Sequence, residues 1–423
     1  MKPTKHVSRK PNLVSKGAIF SSASHANKHP KRKEEADPSY KAARIQIPRP
    51  HTEPIYQTSV YDYPDLETLD DYYNGLIPDG YIYSRNGLPN SSRLARDVAK
   101  LEGAPAGLVC SSGMAALLVA LLSNLRSGDD IVASSDLYGG TTVLLSEELS
   151  RFGIKTIFED ASNGKEFGKA LTKGRTKLAL VETITNPTMK LADLREISEA
   201  AHHAGAMLVV DNTFATPFVA QPWKLGAEVV MHSGTKSLGG HDDLTIGVLC
   251  GSEEVISRAS KFSTRAGTIA GPFDCWLGDR SIATWKVRTH HACANALRLA
   301  RYLEGKRDKV ERVYYPGLKS HPQHILASGL FEKGLYGSML SFDLIGGLES
   351  ASAFVKGLHS VTLTPSLGGV HTTISHPGKT SHRHISAEQK MQSGISDSMI
   401  RVSVGIEDYA QIEEDFAQAL EKK

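Results

Sequence analysis

The sequence predicts an α/β protein: a mostly parallel sheet with helices on both faces, followed by a smaller α+β domain. Between residues 107 and 211, short apolar runs alternate with helical segments, which is typical of a parallel sheet. After residue 255 the helical segments lengthen, and strand patterns return near the C-terminus. The chain has 423 residues, 40% of them hydrophobic, which is enough for two or three domains.

The individual elements follow from the hydrophobic pattern. The parallel region has predicted strands at 108–110, 130–133, 155–158, 177–181, 206–210 and 228–231, and helices at 91–102, 115–125, 141–152, 164–172 and 192–204. A helical stretch at 283–304 is predicted to link this region to the last domain. That domain has predicted strands at 338–344 and 399–404 and helices at 349–358 and 409–420. Right-handed crossovers place the strand-end loops at one edge of the parallel sheet, where ligands bind.

The charge is distributed unevenly along the chain. The net charge is +3, yet residues 1–33 contain nine basic residues and no acidic one. The rest of the chain holds 40 basic and 46 acidic residues, so no nucleic-acid partner is expected. Residues 1–45 are predicted to be a disordered basic tail. Such a tail is favoured over an organelle transit peptide, and no apolar run of about 7–15 residues supports a signal peptide.

The cysteines and the apolar runs indicate in which cellular compartment the protein resides. Four cysteines are scattered without a CxxC pair or zinc-type spacing: Cys110, Cys250, Cys275 and Cys293. This pattern predicts a reducing, cytoplasmic compartment, with no disulfide framework and no metal site. No apolar run approaches the ~20 residues that cross a bilayer, so no membrane partner is expected.

A lysine and an aspartate follow neighbouring predicted strands. Asp211 ends the apolar run 206–210, and Lys236 lies among small and hydroxyl residues after the strand at 228–231. We predict that Lys236 forms a Schiff base with pyridoxal phosphate (PLP) and that Asp211 pairs with the cofactor's pyridine nitrogen. Each residue taken alone is also compatible with a surface lysine and a helix-capping aspartate.

Several residues are candidates for binding the phosphate. The turn at 111–114 lies between a strand and a helix, where free N–H groups and the helix dipole favour an anion. Ser233 and Thr235 flank Lys236 and offer hydroxyl donors to the same phosphate. Arg85 offers a bidentate charge pair, with a surface salt bridge as the alternative.

Three further residues are candidates for the cofactor ring and the substrate. Tyr138 could stack on a flat ring, or be a core tyrosine. Asn186 could donate to the phenolic oxygen of the cofactor, or be a turn residue before a proline. Arg401 lies within an apolar strand and requires a carboxylate, from the substrate or from an internal ion pair.

Together these segments resemble the Cys/Met-metabolism family of PLP enzymes, which includes cystathionine γ-synthase, cystathionine γ- and β-lyase, methionine γ-lyase and O-acetylhomoserine sulfhydrylase. The resemblance runs from Thr52 to the C-terminus. The motifs that carry it occur in the order of the family: Tyr83-Ser84-Arg85, Ser112-Gly113-Met114-Ala115-Ala116, Leu137-Tyr138-Gly139-Gly140-Thr141, Glu182-Thr183 with Asn186-Pro187-Thr188, Val210-Asp211-Asn212-Thr213, Ser233-Gly234-Thr235-Lys236, Ser366-Leu367-Gly368-Gly369-Val370 and Arg401-Val402-Ser403.

The resemblance implies the PLP-dependent transferase fold of type I, with a mostly parallel seven-stranded sheet in the large domain. We predict four parts: the tail (1–45), an N-terminal arm and helix (46–103), a PLP-binding domain (104–285) and a C-terminal domain (286–423). The resemblance implies that the arm makes inter-subunit contacts. It also implies a homotetramer, a dimer of dimers, in which Tyr83 and Arg85 reach the phosphate of the neighbouring subunit.

The resemblance assigns roles residue by residue. It places the cofactor against Gly113, Met114, Tyr138, Asn186, Asp211, Ser233, Thr235 and Lys236. Lys236 and Tyr138 are implied to be catalytic, while Ser366 and Arg401 hold the carboxylate of an amino-acid substrate.

One departure from the family concerns the substrate. Many γ-synthases and γ-lyases have an acid directly after the SLGGV-type motif, where this chain has His371. The missing acid argues against recognition of the distal amino group of cystathionine and favours a smaller or an unusual γ-substituted sulfur amino acid. We predict a lyase that acts by β/γ-elimination on a sulfur-containing amino acid such as cystathionine, with the identity of that amino acid open. The alternatives are γ-replacement on an O-acylated homoserine and, from another class, a non-catalytic binding module with a PLP fold.

Overall fold

The computed structural model describes residues 50–77, 80–383, 386, 388, 390 and 393–422. The predicted disordered tail, residues 1–45, lies outside them. Two compact units are distinguished. One includes Pro64–Gly80 and carries helix α1 (Leu66–Tyr73), and the other comprises Thr52–Tyr63 and Tyr81–Lys423. No helix in the described part of the chain combines the length and hydropathy needed to span a membrane.

The larger unit contains a seven-stranded sheet, ordered β1-β7-β6-β5-β4-β2-β3. Strands β2 to β6 are parallel, whereas β7 lies antiparallel between β1 and β6. This confirms the predicted mostly parallel sheet. The strands are β1 (Ala106–Cys110), β2 (Asp130–Ser134), β3 (Lys155–Glu159), β4 (Thr176–Glu182), β5 (Met207–Asp211), β6 (Val229–Ser233) and β7 (Gly247–Gly251).

Helices pack against this sheet, and the contacts between them form two buried apolar clusters. Pro89 begins α2 at a position where no amide donor is needed, and Gly103 (φ +78°) ends it. The hydroxyl of Ser112 caps α3 by accepting from the amide of Ala115 at 3.0 Å. The helices are α2 (Pro89–Glu102), α3 (Gly113–Leu122), α4 (Gly139–Val143), α5 (Gly164–Ala170), α6 (Leu194–Ala204), α7 (Thr216–Val219) and α8 (Glu253–Ala266).

A second, five-stranded sheet forms the C-terminal part, ordered β10-β11-β12-β9-β8 and mostly antiparallel. Its core is a third apolar cluster that includes Phe342, Phe354 and Phe416. The strands are β8 (Val310–Tyr314), β9 (Met339–Leu344), β10 (Thr362–Leu363), β11 (Thr373–Ser375) and β12 (Met399–Ser403). The helices are α10 (His324–Leu330), α11 (Gly347–Gly357) and α12 (Tyr409–Leu420).

Helix α9 (Pro272–Gly305) has 34 residues, and its rise of about 1.5 Å per residue makes it roughly 50 Å long. Near its middle, Trp285 packs in the core of the large sheet, whereas Leu299 and Leu303 pack in the core of the second sheet. The boundary predicted between residues 285 and 286 therefore falls inside one continuous helix. The division of the chain into the four predicted parts remains a prediction.

Several elements differ from the sequence prediction. Those that it missed include strands β7, β8, β10 and β11 and helix α10. The five residues of β7 begin and end with glycine, and this strand gains its pairing only from β1 and β6. The predicted helix at 141–152 is α4 followed by a π-helical turn (Leu144–Glu148) and a 3₁₀ turn (Leu149–Phe152).

Candidate active site

Lys236 lies in a hydrogen-bonded turn that follows β6. We call residues 233–240 the lysine turn. Its backbone amides donate to carbonyl groups earlier in the turn: Gly240 N donates to Lys236 O at 2.7 Å, and Gly239 N donates to Gly234 O at 2.8 Å. The Lys236 side chain is half-buried, and its Nζ donates to Ser366 Oγ at 3.2 Å. Burial and the charge of Arg401 lower the pKa of Lys236, although Asp242 acts in the opposite direction.

The loop that carries Ser366 packs directly on the lysine turn. Val370 N donates to Gly240 O at 2.9 Å. Gly368 has φ +79°, and a Cβ there would lie 2.5 Å from the amide nitrogen of Ser237. Glycine at 368 is therefore needed for the approach that brings Ser366 to the lysine amine. His371 follows this loop and is exposed.

Arg401 on β12 is buried, with 3% of its surface exposed. Its Nη1 donates to Asn186 Oδ1 at 3.0 Å and its Nη2 to the carbonyl oxygen of Ser366 at 3.2 Å, while its Nε is buried without a partner. Burial lowers the pKa of Arg401 to about 10, and Tyr138 opposes that shift. Within the described residues it has no ion pair with a carboxylate, so this buried cation can accept a carboxylate from a ligand.

Asp211 is the last residue of β5. Its Oδ1 accepts from the amide of Thr213 at 2.9 Å and from the hydroxyl of Thr213 at 2.5 Å. The same hydroxyl oxygen accepts from Ser233 N at 2.9 Å, which links Asp211 to the lysine turn. Burial raises the pKa of Asp211, while the hydrogen bonds from Thr213 and the charge of His232 oppose the shift.

Glu182 lies beside Asp211, at the paired register position of β4. It is buried, and its Oε1 accepts from Tyr138 N at 2.6 Å. Burial and the charge of Asp211 raise the pKa of Glu182 well above its usual range, against the hydrogen bonds from the Tyr138 and Asn186 amides. Glu182 thereby anchors the loop that presents the exposed Tyr138 side chain.

The N-terminus of α3 lies against the lysine turn. A Cβ on Gly113 would be 2.9 Å from Ser233 Cβ, so only glycine allows this contact. Met114, the next residue, packs partly buried on the second core cluster. Thr235 Oγ1 donates to Ile246 O at 3.3 Å and accepts from Ile246 N at 3.1 Å, so its hydroxyl already has partners.

Tyr83 and Arg85 lie together, apart from the hydrogen bonds of the lysine turn. Arg85 Nη1 donates to the carbonyl oxygen of Thr264 on α8 at 3.1 Å. The guanidinium of Arg85 also lies 5.4 Å from the centre of the Tyr83 ring. Among the described residues, no hydrogen bond joins either side chain to Lys236, Asp211 or Arg401.

The sequence prediction missed a buried polar network behind Asp211. His232 Nε2 lies 2.7 Å from Glu102 Oε1, and Asn212 Nδ2 donates to the same oxygen at 2.8 Å. All three residues are at least 98% buried. Glu102 ends an amphipathic helix, a position where a glutamate is ordinarily solvated, so nothing in the local pattern points to this network.

It also missed Arg288 on α9, which hydrogen-bonds to carbonyl groups of the lysine turn. The helical periodicity offers a clue to its burial, because Trp285, Thr289 and Ala292 of the same helix are buried as well.

These side chains fit PLP. The carboxylate of Asp211 can pair with a pyridine nitrogen, and the amine of Lys236 can form an imine with an aldehyde. The N-terminus of α3, beside Ser233, can bind a phosphate. The partnerless Nε of Arg401 points to a further anionic group near the lysine.

Comparisons with known proteins agree with this chemistry. The model of the family described as Cys/Met metabolism PLP-dependent enzyme matches residues 43–421. Cystathionine gamma-lyase of Bacillus subtilis (strain 168) is 40% identical over 369 residues, covering 87% of this chain and 93% of that protein. O-succinylhomoserine sulfhydrylase of Pseudomonas aeruginosa is 38% identical over 370 residues, covering 88% and 91%. The crystal structure of cystathionine gamma synthase from Xanthomonas oryzae pv. oryzae in complex with cystathionine has a TM-score of 0.81 at 34% identity, covering 87% of this chain and 92% of that one.

Proposed function

Because the chain belongs to the Cys/Met metabolism PLP-dependent enzyme family, it is a PLP enzyme of the transsulfuration lyase and synthase type, and we propose that it eliminates a thiol from a sulfur-containing amino acid. One water molecule is consumed, and the products are the thiol, ammonia and a 2-oxo acid. The observation that carries the proposal is the contact of Lys236 Nζ with Ser366 Oγ at 3.2 Å, beside a buried arginine that has no ion pair among the described residues.

Arg401 and Ser366 bind the substrate carboxylate in this proposal. The guanidinium already donates to the carbonyl of Ser366, so a carboxylate bound there lies next to the lysine amine. Asn186 holds Arg401 in place from the other side through its Oδ1. This arrangement directs the Cα–H bond of the amino acid towards Lys236.

PLP, when bound, supplies an electron sink for the pair released at Cα. Lys236 removes the Cα proton, because its lowered pKa increases the fraction of free amine near neutral pH. For a leaving group on Cγ, Lys236 first gives up the proton that it took from Cα, and the free amine then takes a second proton from Cβ. Tyr138, with 44% of its surface exposed, is free to act on the leaving sulfur in this proposal.

The remaining residues hold the cofactor. Asp211 pairs with the ring nitrogen and Asn186 with the ring oxygen. Gly113, Met114, Ser233 and Thr235 surround the phosphate at the N-terminus of α3, where the close approach of Gly113 to Ser233 supports a shared anion site.

A substrate assay separates elimination from replacement. The purified enzyme is incubated with cystathionine, homocysteine, cysteine, methionine and an O-acylated homoserine, each with and without added thiol. A 2-oxo acid formed from a sulfur amino acid without thiol is the expected result. Product that forms only from the acylated homoserine and only with thiol would instead establish γ-replacement, as in the sulfhydrylase relative. A colourless protein that PLP cannot restore would indicate a binding module.

The assembly that we propose is a homotetramer built from dimers. The proposal is supported by Arg85, which contacts Thr264 and the ring of Tyr83, while no hydrogen bond among the described residues joins either side chain to Lys236 of its own chain. Mixing and reassembling the inactive variants Lys236→Ala and Arg85→Ala tests it. If the arm of one subunit completes the site of another, mixed dimers contain one intact site and activity returns. No recovery in verified mixed dimers would contradict the shared site.

We also propose a cytoplasmic location. All four cysteines are buried and free of disulfide bonds, which suits a reducing compartment. Fusing a fluorescent protein to the C-terminus of the full chain and imaging it in the native cell tests this location. Fluorescence confined to an organelle would contradict it.

A further inference from the structure

Arg288 on α9 is a buried arginine with 8% of its surface exposed. Its Nη1 donates to the carbonyl oxygen of Ser237 at 3.1 Å, and its Nη2 donates to the carbonyl oxygen of Leu238 at 3.2 Å. Both acceptors belong to the lysine turn. Within the described residues no carboxylate forms an ion pair with Arg288, which is unusual for a buried cation.

The guanidinium is also held from its own helix. Nη2 donates to Ser281 O at 2.9 Å and Nε donates to Thr284 Oγ1 at 3.2 Å. An arginine has five N–H donors, and these contacts direct most of them to oxygens of the protein itself. Arg288 therefore has few donors left for a ligand, and its hydrogen bonds instead fix the backbone of the lysine turn.

The backbone hydrogen bonds of the lysine turn leave the Ser237 and Leu238 carbonyls without an amide donor among the described residues. A buried carbonyl needs a donor, and the guanidinium supplies one to each. The approach is tight, because a Cβ on Gly240 (φ +72°) would lie 1.8 Å from Nη1 of Arg288. The lysine turn therefore fits against the guanidinium only with glycine at 240.

We propose that Arg288 is a positioning residue that fixes the backbone of the lysine turn, so that the amine of Lys236 meets the cofactor and the substrate. Its loss leaves the Ser237 and Leu238 carbonyls without donors, and the turn shifts to find others. Lysine cannot reproduce the planar fork that bridges two carbonyls and α9. The inference rests on Lys236 being the cofactor lysine, as proposed above.

The test measures attachment of PLP without substrate. Full-length apo-enzyme variants Arg288→Met and Arg288→Lys are mixed with PLP, and the visible band of lysine-bound cofactor is followed over time. Borohydride trapping and peptide mapping then give the fraction bound at Lys236. We expect Arg288→Met to slow attachment and to lower kcat, each by roughly 100-fold, with little change in KM, since misplacement of about 1 Å costs this much. Arg288→Lys should fall between it and the wild type.

The matched control is Arg280→Met, the same substitution at an exposed position of α9. It should attach PLP like the wild type. Wild-type attachment and kcat in a folded Arg288→Met protein would overturn the proposal. If circular dichroism shows that this variant is unfolded, Thr284→Val decides instead. It removes the bond to Nε and the bond from Thr284 Oγ1 to Ser281 O, and wild-type attachment there would overturn the proposal too.

The outcome is separable from that of the proposed reaction. A failed elimination assay leaves the attachment measurement untouched, because no amino acid is present. Trapping of PLP on a lysine other than Lys236 would instead remove the site assignment on which both proposals rest.

Discussion

Glu182 and Asp211 occupy paired register positions at the C-terminal ends of two parallel strands, so two carboxyl groups lie side by side in the interior. Burial and the neighbouring charge of Asp211 raise the pKa of Glu182 well above its usual range. Two carboxylates so placed do not both ionise readily, and we expect Glu182 to be the one that holds its proton. Asp211 can then carry the negative charge that a pyridinium requires.

Glu182→Gln should therefore preserve function. A neutral amide has the shape of the protonated acid and keeps an oxygen to accept from Tyr138 N. We expect PLP affinity and kcat close to those of the wild type. Asp211→Asn, the matched change on the neighbouring strand, should lose PLP affinity by at least roughly tenfold, as expected for a lost bond to a charged group. Equal losses in both variants would contradict this division of charge.

The same substitution has a consequence for stability. A glutamate with a raised pKa in the folded state favours folding only while it is protonated, so its contribution falls as the pH rises above its unfolded pKa of about 4.3. Glutamine does not ionise, so Glu182→Gln removes this pH-dependent loss of stability. In urea denaturation of the apo-enzyme, the stability of the variant relative to the wild type should increase from pH 4 to pH 7. A constant difference would show that Glu182 ionises normally.

Replacing the lysine tests the acid–base step. Lys236→Ala should lower kcat by roughly 10²–10⁴-fold, the usual contribution of general acid–base catalysis. Small primary amines added to the assay should restore part of the rate if the lost group is a proton carrier. Lys169→Ala, which removes only an exposed ion pair with Glu166, is the control and should leave kcat unchanged. A Lys236→Ala enzyme with full turnover would overturn the assignment.

Arg401 should determine substrate affinity and not cofactor affinity. Arg401→Met should raise KM for the amino acid by roughly 10- to 100-fold, since a hydrogen bond to a charged group contributes about 1.5–3 kcal/mol. The apo-enzyme should be no less stable, because the variant removes a buried charge that has no ion pair in the described chain. The measurements are steady-state kinetics and PLP titration. A large loss of PLP affinity with unchanged KM would assign Arg401 to the cofactor instead.

Asp415 on α12 should stabilise the C-terminal part in a pH-dependent way. Burial opposes its charge, but hydrogen bonds from His359 N, Val361 N and Ser360 lower the pKa of Asp415 to about 2. The stabilisation is present above its unfolded pKa of about 3.9 and is lost as the pH falls towards 2. Asp415→Asn should therefore cost about 2 kcal/mol at pH 7 and less at pH 3.

Urea denaturation at both pH values checks this expectation. Glu414→Gln, at an exposed neighbouring position whose side chain makes none of these bonds, serves as the control. An equal cost of Asp415→Asn at pH 7 and pH 3 would contradict the lowered pKa.

The alternation of short apolar runs with helical segments was sufficient to predict the parallel sheet. The same pattern located Asp211 at a strand end, and helix α12 has the predicted bounds of 409–420. The pattern was insufficient for β7, whose five residues form a strand only because β1 and β6 lie on either side. Local periodicity records which face of an element is buried, and it does not record which element lies against that face.

The sequence by itself determined the kind of sheet, the edge that carries the chemistry and the residues Lys236 and Asp211, because these depend on local pattern and on motifs in order. Only the tertiary structure decided that Arg401 lies 3.0 Å from Asn186, 215 positions earlier, and that Arg288 holds the lysine turn. These contacts arise when distant segments pack together and buried polar groups must find partners. That requirement follows from burial in three dimensions and leaves no mark on neighbouring residues in the chain.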